Sequence, residues 1–322
     1  MRILVIGGSR FLGRHIVRQA LDRGHAVSLF NRGVTDPDAF PEAELIRGDR
    51  NDDLASLDGR EWDATVDVCG YVPRQVRSLL EALGGAGGHY AFISSISVYD
   101  PGAPVGFPEE TELLAPSYSD ELTMAEYGAL KVGCELTAQE LTGDQALLVR
   151  PGYIVGPYDP THRFGYWVER CARGGLILGP ASDQPIQVID GRDLAGLVVG
   201  LLEQDVTGAV HAAAPDPALA FSELLTQIAA GVGAGDLKVH WSQANELLPL
   251  TEVREDWSLM SAGLSRAVSH GLTWRPVAET ARDALAWMTA ARAAGRYDPP
   301  AGAFMSPDQE KELLEAARAE LT

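Results

Sequence analysis

Along residues 2–156, short and almost wholly apolar runs alternate with longer stretches whose apolar positions recur at helical spacing. Arg2-Ile3-Leu4-Val5-Ile6 is the first such run, as expected of a parallel strand buried on both faces. It stops at glycines, beyond which Phe11, Leu12, Ile16, Val17 and Ala20 share one helical face as far as Gly24, a stop signal. Further strands are predicted at Ala26 to Phe30, Glu44 to Ile46, Ala64 to Val68, His89 to Ile93 and Ala146 to Val149, with helices after most of them. The alternation predicts an α/β protein built on a doubly wound parallel sheet. Pro185 to Ile189 and Gly208 to Ala212 are expected to return to that sheet, with a helix over Asp193 to Leu202 between them. One unit would then span 1–156 and about 185–213. A smaller, interleaved α/β unit would take about 157–184 and 214–322. Residues 281–294 read as an amphipathic helix. The last helix is announced by Ser306-Pro307-Asp308-Gln309, with Ser306 as cap and Gln309 completing a capping box. Its apolar stripe would be Leu313, Leu314, Ala317 and Leu321.

The first strand runs into Gly7-Gly8-Ser9-Arg10-Phe11-Leu12-Gly13. A strand, a glycine turn and a helix amino terminus make an anion site, because unpaired amides and the helix dipole point at the ligand. Arg10 stands where the pattern GxxGxxG has its middle glycine. A tight turn without a ligand has the same local look; its place at the head of a repeating strand-helix pattern favours a dinucleotide pyrophosphate. Gly7, Ser9, Arg10, Phe11, Leu12 and Gly13 are the expected cradle, and the larger unit is the expected dinucleotide-binding domain.

Tyr127 and Lys131 lie four residues apart in Tyr-Gly-Ala-Leu-Lys, downstream of Ser94-Ser95-Ile96-Ser97-Val98-Tyr99. On a helix that spacing puts both on one face, so the Lys131 ammonium is expected beside the Tyr127 phenol, favouring phenolate. Tyr127 would exchange a proton with a reacting carbonyl or alcohol, and Ser95 would hydrogen-bond the same oxygen. An isolated YxxxK is commonly a chance match. The order and company of the three pieces here point to a hydride-transfer enzyme.

Composition narrows the class. The chain has 322 residues, 46% hydrophobic and 22% charged, enough for a substantial core. No basic region with an apolar core and cleavage site opens it, and no apolar run approaches a membrane span, so a cytoplasmic protein without membrane attachment is expected. Cys69, Cys134 and Cys171 are scattered and the seven histidines are unclustered, which predicts reduced thiols and no metal. The net charge of −19 disfavours nucleic-acid partners, whose binding needs the opposite balance.

On its glycine loop, Gly48-Asp49, Ser94 to Tyr99, Tyr127 with Lys131, Leu148 to Pro157 and Arg192-Asp193-Leu194-Ala195, the chain resembles an extended short-chain dehydrogenase/reductase of the NAD-dependent epimerase/dehydratase-like type. Arg10 and Phe30-Asn31-Arg32-Gly33 are similar to an atypical branch, which includes bacterial proteins labelled epimerase or reductase and plant chloroplast stem-loop-binding relatives. The resemblance implies that Asp49 reaches the adenine amino group, Cys69 and Gly70 line the adenosine ribose side, Pro151 to Ile154 meet the nicotinamide amide, and Lys131 also binds the nicotinamide ribose. It also implies dimerisation through the catalytic helix and the helix near Gln75 to Leu83. Two departures stand out. Ser95 is followed by Ile96-Ser97 where 4,6-dehydratases carry Asp-Glu, which disfavours dehydration. Ile186 stands where many members have an arginine that grips a sugar-nucleotide diphosphate.

The second strand ends in Asn31-Arg32 with no acidic residue to bind ribose hydroxyls, and Arg32 with Arg10 could converge on a 2′-phosphate. NADP is therefore expected, with NAD as the alternative. For the substrate, Ser97, Tyr118, Tyr158, His162, Arg163 and Trp167 are candidates, although Trp167 suits a core equally well. The leading reading is an NADP-dependent reductase or dehydrogenase acting on a secondary alcohol or ketone of a small molecule. An epimerase retaining NAD needs the same groups. A non-catalytic cofactor-sensing or RNA-associated scaffold is opposed by intact Ser95, Tyr127 and Lys131 and by the charge.

Overall fold

The computed structural model describes the chain except residues 144, 236, 243–246, 301, 303, 321 and 322, with 317–320 described by backbone alone. Its amino-terminal part is β1 (Arg2–Ile6), α1 (Phe11–Asp22), β2 (Ala26–Asn31), β3 (Glu44–Arg47), β4 (Ala64–Asp67), α2 (Pro73–Leu83), β5 (His89–Ile93), α3 (Tyr127–Thr142) and β6 (Leu147–Pro151). The chain continues through β7 (Tyr153–Val155), α4 (Arg163–Arg173), β8 (Gly175–Gly179), β9 (Pro185–Ile186), β10 (Val188–Asp190), α5 (Gly191–Glu203) and β11 (Gly208–Ala212). It ends in β12 (Leu219–Ala220), α6 (Phe221–Gly231), β13 (Leu237–Trp241), α7 (Ser265–Ser269), α8 (Val277–Ala293) and α9 (Pro307–Glu320).

Seven strands form one parallel sheet in the order β11-β6-β5-β4-β1-β2-β3. The chain winds outward from β1 in one direction and then from β4 in the other, so the carboxyl ends of β1 and β4 flank the crevice where such sheets take ligands. Strand alternation supplies both faces. Ile3 and Val5 pack with Ile16 and Val198 on one side, while Leu4 and Ile6 pack with Val76, Leu79 and Ala138 on the other. Each such buried side chain contributes about 1.5–3 kcal/mol. A separate cluster joins Trp167, Ile186, Phe221, Ile228 and Met288 around α4, α6 and α8.

The strands predicted up to β6, and Gly208 to Ala212, stand in this sheet. Pro185 to Ile189 does not. β9 pairs antiparallel with β12 and β10 pairs parallel with β7, while β11 takes the place beside β6. The run is split at Gln187, whose buried side-chain amide donates to the carbonyls of Pro215 and Ala262 and accepts from the Ala262 amide. The helix expected at 281–294 begins earlier, at Val277, directly after Pro276, with Glu279 in its first turn. At α9 the capping box is formed, Ser306 Oγ accepting from Gln309 N at 3.2 Å and Gln309 Oε1 accepting from Ser306 N at 2.9 Å. Of its stripe, Leu314 is buried and Leu313 partly exposed, and the Ala317 side chain and Leu321 lie outside the described residues. Among the described residues no helix is long and apolar enough to cross a membrane.

Candidate active site

Gly7 and Gly8 carry φ of +105° and +85°, a region closed to most side chains. A Cβ on Gly13 would stand 2.7 Å from the Gly8 amide nitrogen, so α1 starts in direct contact with the turn. Arg10, extended and just before α1, makes no side-chain cap, which leaves the first-turn amides open to an anion. A pyrophosphate fits this cradle. Ser9, Phe11 and Leu12 fall in the same turn, with Phe11 at φ +37°.

Asn31, expected to bind cofactor, braces the turn. Its Nδ2 donates to the Gly7 carbonyl at 3.0 Å and its Oδ1 accepts from Gly33 N at 2.7 Å, so both ends of the amide are engaged by backbone. Arg32 is exposed between these two anchors. Asp49 uses one carboxylate oxygen on the Asn51 amide at 2.9 Å. Pro151 ends β6, and Ile154 lies in β7 opposite Ile189.

Tyr127 opens α3, and Gly128 explains how closely that helix approaches the seryl segment, because a Cβ there would lie 2.1 Å from the Ser97 carbonyl oxygen. Ser95 Oγ accepts from Ser97 N and donates to Ser97 Oγ, both at 3.1 Å. Lys131 is buried, and its Nζ donates to the carbonyls of Gly70 at 2.8 Å and Ile93 at 2.7 Å. Burial brings this amine down to about 8. The expected phenolate-favouring role of Lys131 is not what the geometry shows. Burial pushes the Tyr127 phenol up, and the groups that pull it back are the Ser95 hydroxyl and the Arg163 guanidinium. The reason is that the Lys131 ammonium is directed at two main-chain carbonyls.

Three features escaped the sequence reading. Asp67, fully buried at the end of β4, receives Arg50 at 2.6 and 2.9 Å and Tyr90 Oη at 3.0 Å, and Arg50 also donates to Cys69 Sγ at 3.3 Å. An acid inside the apolar run Ala64-Thr65-Val66-Asp67-Val68, with an arginine directly after Gly48-Asp49, was the available signal. The pair stiffens the loop that presents Cys69 and Gly70. Tyr71, 41% exposed, places its ring 5.6 Å from Lys131 Nζ. Finally, Tyr153 Oη donates to the half-buried carboxyl of Glu252, and the Arg163 guanidinium lies 4.9 Å over the Tyr153 ring. Nothing in the sequence links position 252 to 153.

The substrate candidates scatter. Arg163 and Ser97 lie with Tyr127 and Ser95. Trp167 has no exposed surface and gives its indole N–H to the Pro249 carbonyl at 2.9 Å, so it is core. Tyr158 covers the Arg14 guanidinium at 4.6 Å and packs on Trp287, turning toward α1 and α8. His162 bonds Tyr297 Oη at 2.7 Å and lines, with Glu169, Arg173 and Arg292, a cleft of about 510 Å³ between α4 and α8. Tyr118 is largely exposed. Among the described residues no cluster of three or more His, Cys, Asp or Glu could hold a metal.

The parallel sheet, the glycine cradle and the Ser95, Tyr127, Lys131 group define an extended short-chain dehydrogenase/reductase fold. The chain belongs to the NAD dependent epimerase/dehydratase family, which it matches over residues 3–212. It is 29% identical over 225 residues to the chloroplast stem-loop binding protein of 41 kDa b of Arabidopsis thaliana, covering 62% of this chain and 55% of that protein. The chain thus spans about half the length of that curated relative. Its fold is shared with a UDP-glucuronic acid 4-epimerase from Bacillus cereus in complex with NAD, at 16% identity and a TM-score of 0.67, covering 90% of this chain and 99% of the other. A UDP-Glc/GlcNAc 4-epimerase from Campylobacter jejuni is likewise similar, at 15% identity and 0.69, covering 89% and 98%.

Proposed function

We propose that this protein moves hydride between a nicotinamide dinucleotide and a secondary alcohol or ketone carbon of a small molecule. The observation that carries the reading is the grouping of Ser95, Tyr127 and the buried Lys131 at the carboxyl edge of β4 and β5, beside the glycine cradle. A bound nicotinamide supplies or accepts the hydride. Tyr127 exchanges the proton at the substrate oxygen, and because burial holds its phenol protonated, it is ready to donate to a ketone. Ser95 orients that same oxygen.

Family membership favours epimerisation, in which the cofactor stays bound and hydride returns to the opposite face of the same carbon. A nucleotide-sugar substrate draws less support from the site, since Ile186 is fully buried where a diphosphate-binding arginine would be needed. A reductase that exchanges NADPH is the second reading, favoured by the exposed Arg10 and Arg32 and by the lack of an acid at the end of β2. Mass spectrometry of nucleotide released from purified protein separates them. Stoichiometric NAD supports the epimerase, empty protein that turns over added NADPH supports the reductase, and protein that neither carries nor binds either dinucleotide defeats both.

We further propose a cytoplasmic protein, a cofactor-binding domain from 1–156 and about 185–213 with the remainder facing substrate, and a homodimer through α2 and α3. The net charge of −19 argues against a nucleic-acid partner. A monomer by sedimentation would reject the dimer.

A further inference from the structure

Acidic residues outnumber basic ones 45 to 26, and guanidiniums around the amino-terminal sheet are mostly neutralised. Arg2 pairs with Asp63, Arg14 with Asp36, Arg50 with Asp67 and Arg60 with Glu44. Arg10, Arg32 and Arg47 differ. All are exposed, and among the described residues none has a side-chain hydrogen bond or ion pair.

The three stand at or beyond the carboxyl ends of the neighbouring strands β1, β2 and β3. Arg10 precedes α1, Arg32 follows β2, and Arg47 ends β3 in register with Asn31. The Arg47 guanidinium lies beside Gly33, its atoms 3.2–3.4 Å from where a Cβ on Gly33 would stand. Gly33 has φ +67°, so the position suits glycine on two grounds. Asn31 ties the same loop to Gly7. Arg32 is thereby carried on a loop braced from both sides. The nearby acids Asp36 and Glu44 are already paired with Arg14 and Arg60, and residues 30–34 contain no acid.

We propose that Arg47 is a specificity-determining residue that completes, with Arg10 and Arg32, a three-arginine clamp for the 2′-phosphate of a dinucleotide. A phosphomonoester dianion offers three acceptor oxygens, and guanidinium forks match them with charge-assisted bonds. The inference rests on the dinucleotide reading above and requires the cofactor to be phosphorylated.

Calorimetric titration of the full chain with 2′,5′-ADP and with 5′-AMP tests it, since neither probe carries nicotinamide. Wild type is expected to bind 2′,5′-ADP at least about tenfold more tightly than 5′-AMP, the scale of one added charge-assisted contact. Arg47→Ala should weaken 2′,5′-ADP by about tenfold and leave 5′-AMP unchanged, with Arg47→Lys between the two. A wild type that prefers 2′,5′-ADP with an Arg47→Ala variant that matches it overturns the part given to Arg47. Equal binding of both probes by wild type overturns the clamp. Binding of neither overturns the clamp together with the dinucleotide site beneath it.

Discussion

Lys131 Nζ donates to the Gly70 carbonyl at 2.8 Å, tying the second turn of α3 to the loop after β4. Its amine, brought to about 8 by burial, loses charge in an accessible pH range. If Lys131 meets the cofactor's ribose as proposed, affinity for the dinucleotide is expected to fall as pH rises through 8, because that ammonium loses its charge. Fluorescence titration at pH 7 and pH 9 should show this in wild type, and Lys131→Met should bind weakly at both. The stability effect has the opposite sense. With its folded value below the unfolded 10.5, the buried ammonium costs stability in full below pH 8, and the cost is relieved as pH rises from 8 toward 10.5.

Tyr127→Phe should reduce turnover by at least about a hundredfold, the lower end for loss of a general acid, with cofactor affinity near wild type. Among the described residues the phenol has no hydrogen bond to the glycine cradle, so binding and chemistry are expected to separate. Steady-state rates beside a cofactor titration decide it. Turnover within a factor of a few of wild type would remove Tyr127 from the chemistry.

Breaking the Asp67–Arg50 pair should be costly because both groups are buried. Asp67→Asn leaves the Arg50 charge uncompensated, and urea unfolding is expected to show a loss of about 3 kcal/mol or more. Glu44→Gln, which breaks an exposed pair with Arg60, should stay within about 1 kcal/mol. The Asp67 carboxyl is held below the usual carboxylate range, above all by Arg50 against the burial that would raise it. Its contribution is therefore present above the unfolded value near 3.8 and lost as pH falls through the lower folded value.

Glu310 docks α9. It accepts from Arg170 Nε at 2.9 and 2.6 Å and from the Leu178 amide at 3.0 Å, all buried. Glu310→Ala should speed amide exchange across α9 and the β8 edge and cost about 3 kcal/mol, with α1 unchanged. Unaltered exchange in α9 would show that the helix is held by its apolar contacts alone.

The sequence by itself determined the parallel sheet, its strands to within a residue or two, and the spacing that sets Tyr127 and Lys131 on one helix. Apolar runs of strand length, glycines at a strand-helix turn and a four-residue spacing are local signals, each fixed by backbone geometry within a few residues. The fate of Pro185 to Ile189 was not local, because an apolar run does not say which neighbour it pairs with. That was decided when β11 filled the place beside β6 and Gln187 found carbonyls far along the chain. Side-chain roles at long range were likewise settled by the tertiary structure. Asn31 bonded the backbone of Gly7 and Gly33, Lys131 turned from phenol to carbonyls, Trp167 joined the core, and Glu252 reached Tyr153. Burial and hydrogen-bond satisfaction belong to the packed molecule, where each polar group must find a partner among residues brought together only by folding.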